Sequence, residues 1–269
     1  MEIASFILLT YSFPMIAGNT WIGTSGFQYP EWKGKFYPED LSKAKMLTYY
    51  ASQFNSTEIN YTFRSIPSAN TILRWFNETP ANFRYSLKAP QRVTHFSKLK
   101  DCGDTMEDFF HSVGGLGDKL GPVLFQLPPT FKVDAERLKT FLATVSPAKK
   151  PVRSKSTPAG RRLAFEFRHD SWFTDDVYGI LSEHNAALCL ADSEEFETPR
   201  VATASFGYLR PRREDYKPSQ IKQCAEFTQE QLQANTWSEA YTYFKHEENC
   251  VGPEFAKTLQ KHLPTPPPA

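Results

Sequence analysis

The apolar run LAFEFRHDSW (163–172) carries a carboxylate, a guanidinium and an imidazole on Glu166, Arg168 and His169. Comparable intrusions recur in other β-rich runs: Glu58 and Asn60 in STEINYTF, Lys88 in FRYSLKAP, Gln126 in PVLFQLPP, Asp192 in AALCLAD, Arg210 in ASFGYLR and Lys245 in AYTYFKH, with Ser25 closing TWIGTS. Brought to one place, these side chains could do acid/base work on an anion. Glu58 and Glu166 are the general acid/base candidates, because like charges held close raise one of the two pKa values, and His169 is a second proton carrier. Lys88, Arg168, Arg210 and Lys245, with Arg212 nearby, form a cationic half-ring suited to a carboxylate or phosphate. Ser25, Asn60, Gln126 and Asp192 add neutral and acidic substrate contacts. Tyr29, Trp32 and Trp172, with Phe27, could stack a sugar or base. The reading is an enzyme for a small anionic substrate, needing no cofactor.

Three other readings compete. Glu166 and Asp192, joined by Glu58 or His246, could ligate a divalent metal as in barrel isomerases or endonucleases; the neighbouring cations oppose this, and no H-x-H or H-E-x-x-H spacing occurs. A barrel glycosidase would place acids after strands four and seven, where this chain has Gln126 and Arg210. A sensor would bind the same ligand without turning it over. Pure charge pairing explains so many ionisable residues poorly, since buried ion pairs are often replaceable by apolar side chains at no loss.

The elements that must position these residues alternate. Eight β-rich runs fall at 20–26, 56–63, 83–90, 122–129, 162–169, 186–192, 204–210 and 240–246. Between them lie amphipathic stretches, marked by Leu47, Tyr50 and Phe54; by Leu73, Trp75 and Phe76; by Phe109 and Phe110; by Leu138, Phe141, Leu142 and Val145; by Val177, Ile180 and Leu181; and by Phe255 to Leu263. The stretch 193–203 is too short and irregular for a helix. Strand–helix alternation predicts a parallel sheet covered by helices, and eight units in about 250 residues are a TIM-barrel-like (β/α)8 fold, class α/β. Side chains alternate along a strand, so Ile59, Tyr61, Phe63, Phe83, Tyr85, Leu87, Leu163, Phe165 and Phe167 face the helices. Glu58, Asn60, Thr62, Arg84, Ser86, Lys88, Ala164, Glu166 and Arg168 then face the lumen. The polar residues gather at the C-terminal rim, where barrel enzymes place their chemistry.

The segments GTSGFQYPEWKGKFYP, FNSTEINYTF, KAP, GPVLFQLPP, EFRHDSW and YFKHE resemble the YecE-like TIM barrels, domain-of-unknown-function family seventy-two, from about Trp21 to Leu263. The resemblance implies the same barrel fold and supplies no reaction or cofactor. It marks Gly23, Ser25, Gly26, Tyr29, Trp32, Glu58, Asn60, Lys88, Gln126, Glu166, Arg168, His169, Trp172 and Asp192 as positions of the family pattern. The chain departs from that pattern at Tyr208-Leu-Arg210-Pro-Arg212 and at Lys245-His246.

The chain of 269 residues is 40% hydrophobic with a net charge of +1, so composition makes no case for nucleic acid or an anionic membrane as partner. Its 4 cysteines are widely spaced, which fits reduced thiols and a cytoplasmic location. Residues 1–19 read as an N-terminal extension, with an apolar stretch from Ile3 to Ile16 too short to span a bilayer. Residues 20–263 read as one barrel domain and 264–269 as a disordered Pro-rich tail. Three N-x-S/T matches, at Asn55, Asn60 and Asn77, read as chance, because Asn60 is expected inside the barrel. A basic insertion at 146–162 holds Lys149, Lys150, Arg153, Lys155, Arg161 and Arg162. It reads as a solvated loop at the N-terminal face.

Overall fold

A computed structural model describes residues 20–146, 161–193, 196–245 and 250–263. The N-terminal extension, most of the basic insertion, His246 and the Pro-rich tail therefore lie outside the described residues. Eight strands run in parallel: β1 Thr20–Thr24, β2 Ser56–Ile59, β3 Arg84–Lys88, β4 Leu120–Gln126, β5 Leu163–Glu166, β6 Ala187–Asp192, β7 Phe206–Pro211 and β8 Glu239–Phe244. Their hydrogen-bonded order is β1-β8-β7-β6-β5-β4-β3-β2, so the sheet curls until its two edges meet.

That meeting of β1 and β2 is made largely by side chains. One bridge, Ser25 with Glu58, joins the backbones, and the Gly26 N–H donates to the Glu58 carbonyl at 2.7 Å. Elsewhere Asn55 stands in for a strand: its Oδ1 accepts from the Ile22 N–H at 2.8 Å and its Nδ2 donates to the Thr20 carbonyl at 2.9 Å. The buried Tyr50 hydroxyl accepts from the Thr24 N–H at 2.7 Å. Buried backbone groups are thereby satisfied where no ladder exists. A Cβ on Gly23 would come within 1.9 Å of the Ser56 carbonyl oxygen, so the close approach of β1 to β2 requires glycine there.

Seven α-helices are present among the described residues: α1 Met46–Gln53, α2 Ala69–Asn77, α3 Gly103–Val113, α4 Ala135–Val145, α5 Asp175–Glu183, α6 Pro218–Gln233 and α7 Val251–Gln260. Asp134 and Thr174 start α4 and α5 by accepting the Arg137 and Val177 N–H groups on their side chains. The expected apolar faces of α4 and α5 are buried. In α2 the buried pair is Ile72 and Trp75, while Leu73 and Phe76 are exposed.

One helix, α6, was not expected. It buries only Ile221, Ala225, Thr228 and Leu232, a stripe with just two large apolar residues at its ends. Between β6 and β7 the described chain runs as an extended strap. The Thr198 N–H donates to the Ala191 carbonyl at 2.9 Å, and Thr203 Oγ1 accepts from the Leu188 N–H at 2.8 Å.

The core has two layers. Outside the sheet, Phe125, Phe141, Phe165, Phe167 and Trp172 pack under the helices. Inside it, Leu124, Ala164, Ala187, Cys189 and Ala191 face Tyr208, Tyr241 and Tyr243, so small side chains on one wall make room for tyrosines from the other. This confirms the inward and outward parity expected for β5.

Parity failed in β2, which stops at Ile59. The chain turns at Asn60 into a 3-10 turn, Tyr61–Phe63, held by Thr62 Oγ1 donating to the Lys88 carbonyl at 2.7 Å. Tyr61 is 53% exposed rather than packed against a helix. At the opposite end Arg162, expected in a solvated loop, pairs with Glu239, which also accepts from Trp21 Nε1 at 3.2 Å and the Tyr241 hydroxyl at 2.8 Å. Arg84 lies 4.5 Å over the Trp21 ring beside this plug. Among the described residues no helix is long and apolar enough to cross a membrane.

Candidate functional site

At the C-terminal ends of the strands, Arg210 of β7 bridges two glutamates across the lumen. Its Nη2 lies 2.8 Å from Glu58 Oε1 and its Nη1 donates to Glu166 Oε2. The three side chains are 3%, 0% and 2% exposed respectively. Such groups are stable in an interior only when paired. Glu58 is further held by Ser25 Oγ at 2.6 Å and the Tyr208 hydroxyl at 2.7 Å. Burial and the nearby Glu58 charge push the Tyr208 phenol well above its usual range, so it stays a donor. Asn60 Nδ2 donates to Ser25 Oγ at 3.0 Å. Backbone geometry supports this corner: Gly26 has φ +91°, and any Cβ there would strike the Tyr29 ring, whose hydroxyl donates to the Ser25 carbonyl at 2.8 Å.

Glu166 organises the other half. Its Oε1 accepts from Gln126 Nε2 at 2.8 Å, Arg168 Nε at 2.9 Å and Arg212 Nη1 at 3.1 Å. Burial alone would raise its pKa, but Arg210, Arg168 and Arg212 outweigh burial and hold the carboxyl well below the usual carboxylate range. Glu166 is therefore ionised at any physiological pH. Arg168 and Arg212 are only partly buried and open onto a cavity of about 690 Å³, shared with His169, Asp170, Asp192 and Glu214. His169 Nδ1 accepts from the Ser171 N–H at 3.2 Å, which leaves the proton of the neutral ring on Nε2.

Lys88 closes the cationic side. Its Nζ sits 4.2 Å from the centre of the Phe63 ring. Burial, then repulsion from Arg210, lowers its pKa to about 8 against the opposing pull of Glu58 and Glu166. His95 meets the same Phe63 ring edge-on at 5.0 Å and bonds Thr94 Oγ1 through Nδ1 at 2.9 Å. Burial, then Lys88 and Arg168, lowers its pKa and favours the neutral imidazole. Sequence reasoning missed His95 because it lies on a turn, not a strand. The available signal was its place seven residues beyond Lys88 in KAPQRVTH. The turn is a π-helical one, Arg92–Phe96, a form frequent at functional sites.

Of the expected site residues, Ser25, Glu58, Asn60, Gln126, Glu166, Arg168 and Arg210 come together by direct contacts, with Lys88 beside them and Arg212 added. Others are placed differently. Asp192 shares the outward parity of Leu188 and Leu190, because Ala187, Cys189 and Ala191 fill the lumen. Its carboxylate accepts from the Tyr216 hydroxyl and the Arg212 N–H and faces Arg213 at 3.6 Å. Trp32 is buried against Tyr29, Phe36 and Tyr37, and Trp172 is stacked on Phe167 at 4.6 Å with Nε1 donating to the Phe131 carbonyl. Neither indole can stack a ligand; both pack loops. Tyr29 lines a separate cavity of about 360 Å³ with Asn60 and Tyr61. Lys245 follows β8 half-buried, its N–H donating to the Pro211 carbonyl at 3.1 Å. Among the described residues no three His, Cys, Asp or Glu side chains converge as a metal site. In the expected metal set, Glu166 is taken up by arginines, Asp192 points outward and His246 lies outside the described residues.

Known proteins share this framework. A stretch of 82 residues is 34% identical to the UPF0759 protein YecE of Escherichia coli (strain K12), covering 30% of each chain. A longer stretch of 148 residues is 29% identical to the UPF0759 protein YunF of Bacillus subtilis (strain 168), covering 53% of this chain and 49% of that one. The chain thus spans about a third to a half of the length of these curated relatives. The crystal structure of a DUF72 family protein from Thermotoga maritima superposes with a TM-score of 0.72 at 26% identity, covering 90% of this chain and 98% of that one. The family model described as "Protein of unknown function DUF72" matches residues 21–268, almost the entire barrel, and the chain belongs to that family.

Proposed function

We propose that this protein is an enzyme that binds a small phosphorylated or carboxylated substrate at the C-terminal mouth and transfers a proton there. The observation that carries this reading is the pair of guanidinium groups, Arg168 and Arg212, both anchored on Glu166 and both lining the same cavity. A guanidinium fixed by a buried carboxylate is pre-oriented, so an incoming anion loses little freedom in meeting it. Asp170, Asp192 and Glu214 also line the cavity, so the support is the local pairing of two oriented guanidinium groups rather than an excess of positive charge over the whole mouth. Glu166 and Glu58 were the first candidates for acid/base work. Glu166 is too strongly ionised to act as an acid, and Glu58 has both oxygens engaged and no exposed surface. Both serve as anchors, and His169, which lines the cavity, carries the proton. The cysteines are free thiols, which supports a reducing, cytoplasmic setting.

The test is thermal stabilisation by inorganic phosphate and a panel of small phosphates and carboxylates, followed by turnover assays on each hit. Arg212→Gln should weaken anion binding roughly 10- to 100-fold, the loss of one charged hydrogen-bonding partner, while the protein stays folded. Equal affinity in wild type and Arg212→Gln would refute the cradle. Binding without conversion by any hit would make the protein a sensor instead.

A further inference from the structure

Among the described residues Lys119 is buried and Lys88 half-buried, and the two are held differently. Lys119 Nζ has its protons placed on the Phe76 carbonyl at 2.5 Å, the Thr79 carbonyl at 2.6 Å and Thr79 Oγ1 at 3.2 Å. It is tied down as structure. Lys88 Nζ lies over the face of Phe63 at 4.2 Å and enters none of the ion pairs or hydrogen bonds of the described residues, although Arg210, Glu58, Glu166 and Arg168 are near enough to act on its charge. The backbone beneath it is rigid, since Lys88 ends β3 and its carbonyl accepts from Thr62. A partly desolvated amine beside other cations is the arrangement that makes lysine a nucleophile.

Resting on the anion-binding reading above, we propose that Lys88 forms a protonated imine with an aldehyde or ketone group of the substrate, which makes the substrate an anionic carbonyl compound. The Nζ lone pair attacks the carbonyl carbon, the C–O double bond opens, and a proton passes from nitrogen to oxygen. A second proton, taken from solvent or a neighbouring acid, lets the oxygen leave as water, and the C=N⁺ bond remains on Lys88. No oxidant or reductant is consumed. Phe63 offers its π-face to the iminium charge at the distance it now holds from the ammonium. His95, half-buried against the same ring, is the imidazole assigned to exchange the protons. Arg168 and Arg212 hold the anionic end.

The experiment is reductive trapping on the full chain. Protein is incubated with pyruvate, with glyceraldehyde 3-phosphate, or with butanal as a neutral control, each with sodium cyanoborohydride, and the adduct is located by peptide mass spectrometry. The proposal expects one adduct, confined to Lys88, formed at least 10-fold faster from an anionic probe than from butanal. It expects that preference to vanish in Arg212→Gln and the adduct to be lost in Lys88→Arg. Circular dichroism and melting of Lys88→Arg and of Lys88→Met establish that each remains folded. Adducts spread over exposed lysines, or an unchanged adduct yield in Lys88→Arg, overturn the proposal. Stabilisation by inorganic phosphate without trapping at Lys88 leaves the anion cradle standing and removes the imine; absence of both removes both.

Discussion

Glu166 shows how one buried carboxylate can govern a mouth. Three guanidinium groups converge on it, and its folded-state pKa lies below its unfolded value of about 4.3. Stability from this group is therefore fully present above the unfolded value and is lost as pH falls towards the folded one. Wild-type protein should lose stability steeply below about pH 4.5. Glu166→Gln should flatten that acid limb and cost roughly 3–5 kcal/mol at neutral pH, because Arg210 loses a buried partner. Urea melts from pH 3 to 7 measure both; an unchanged acid limb in the variant would contradict the assignment. At this scale the sequence was legible wherever a strand alternates clearly. Glu58 and Glu166 stand among large outward residues, so their direction could be read. In ALCLAD every residue but the last is apolar and small or medium-sized. Either parity fits, so the strand alone did not show that Asp192 has the outward parity and reaches the cavity beside Arg212 rather than the lumen. Trp32 and Trp172 look alike in sequence whether they stack on a ligand or on Tyr29 and Phe167.

At the scale of elements, the eight strands were readable from composition, and most helices from their apolar period. The ends and the sparse helix were not. β2 stops where the chain turns at Asn60 and Thr62 takes the Lys88 carbonyl of β3, a tertiary fact absent from STEINYTF itself. α6 is held by Ile221 and Leu232 with Ala225 and Thr228 between, which no apolar pattern advertises. The seam between β1 and β2 was equally hidden, since it depends on the side chains of Asn55 and Tyr50 acting as backbone. Asn55→Ala should leave the Ile22 N–H without its acceptor and cost about 1–3 kcal/mol. Hydrogen exchange should show the Ile22 amide accelerating far more than amides of β4 or β5; uniform rates would show that the seam does not depend on Asn55.

Across the whole molecule, the two ends of the barrel divide their tasks. The N-terminal end is plugged by Glu239 with Arg162, Trp21 and Tyr241, and the C-terminal end carries the arginines anchored on Glu166, the proposed anion cradle. Glu239→Gln should lower stability by about 1–3 kcal/mol and leave phosphate affinity unchanged, the reverse of Arg212→Gln. Paired melting and binding measurements on the two variants test this; a loss of phosphate affinity in Glu239→Gln would show that the ends are coupled. The sheet itself, traced by its ladders, starts at β1 and finishes at β2, so it is a rolled ribbon rather than a closed ring. Its overlap is fastened at the lip by the Ser25–Glu58 bridge, and Glu58 is the same residue that anchors Arg210. One carboxylate side chain thus belongs to the residue that laces the overlap and to the pair that holds Arg210, so the hem and the mouth share a single stitch.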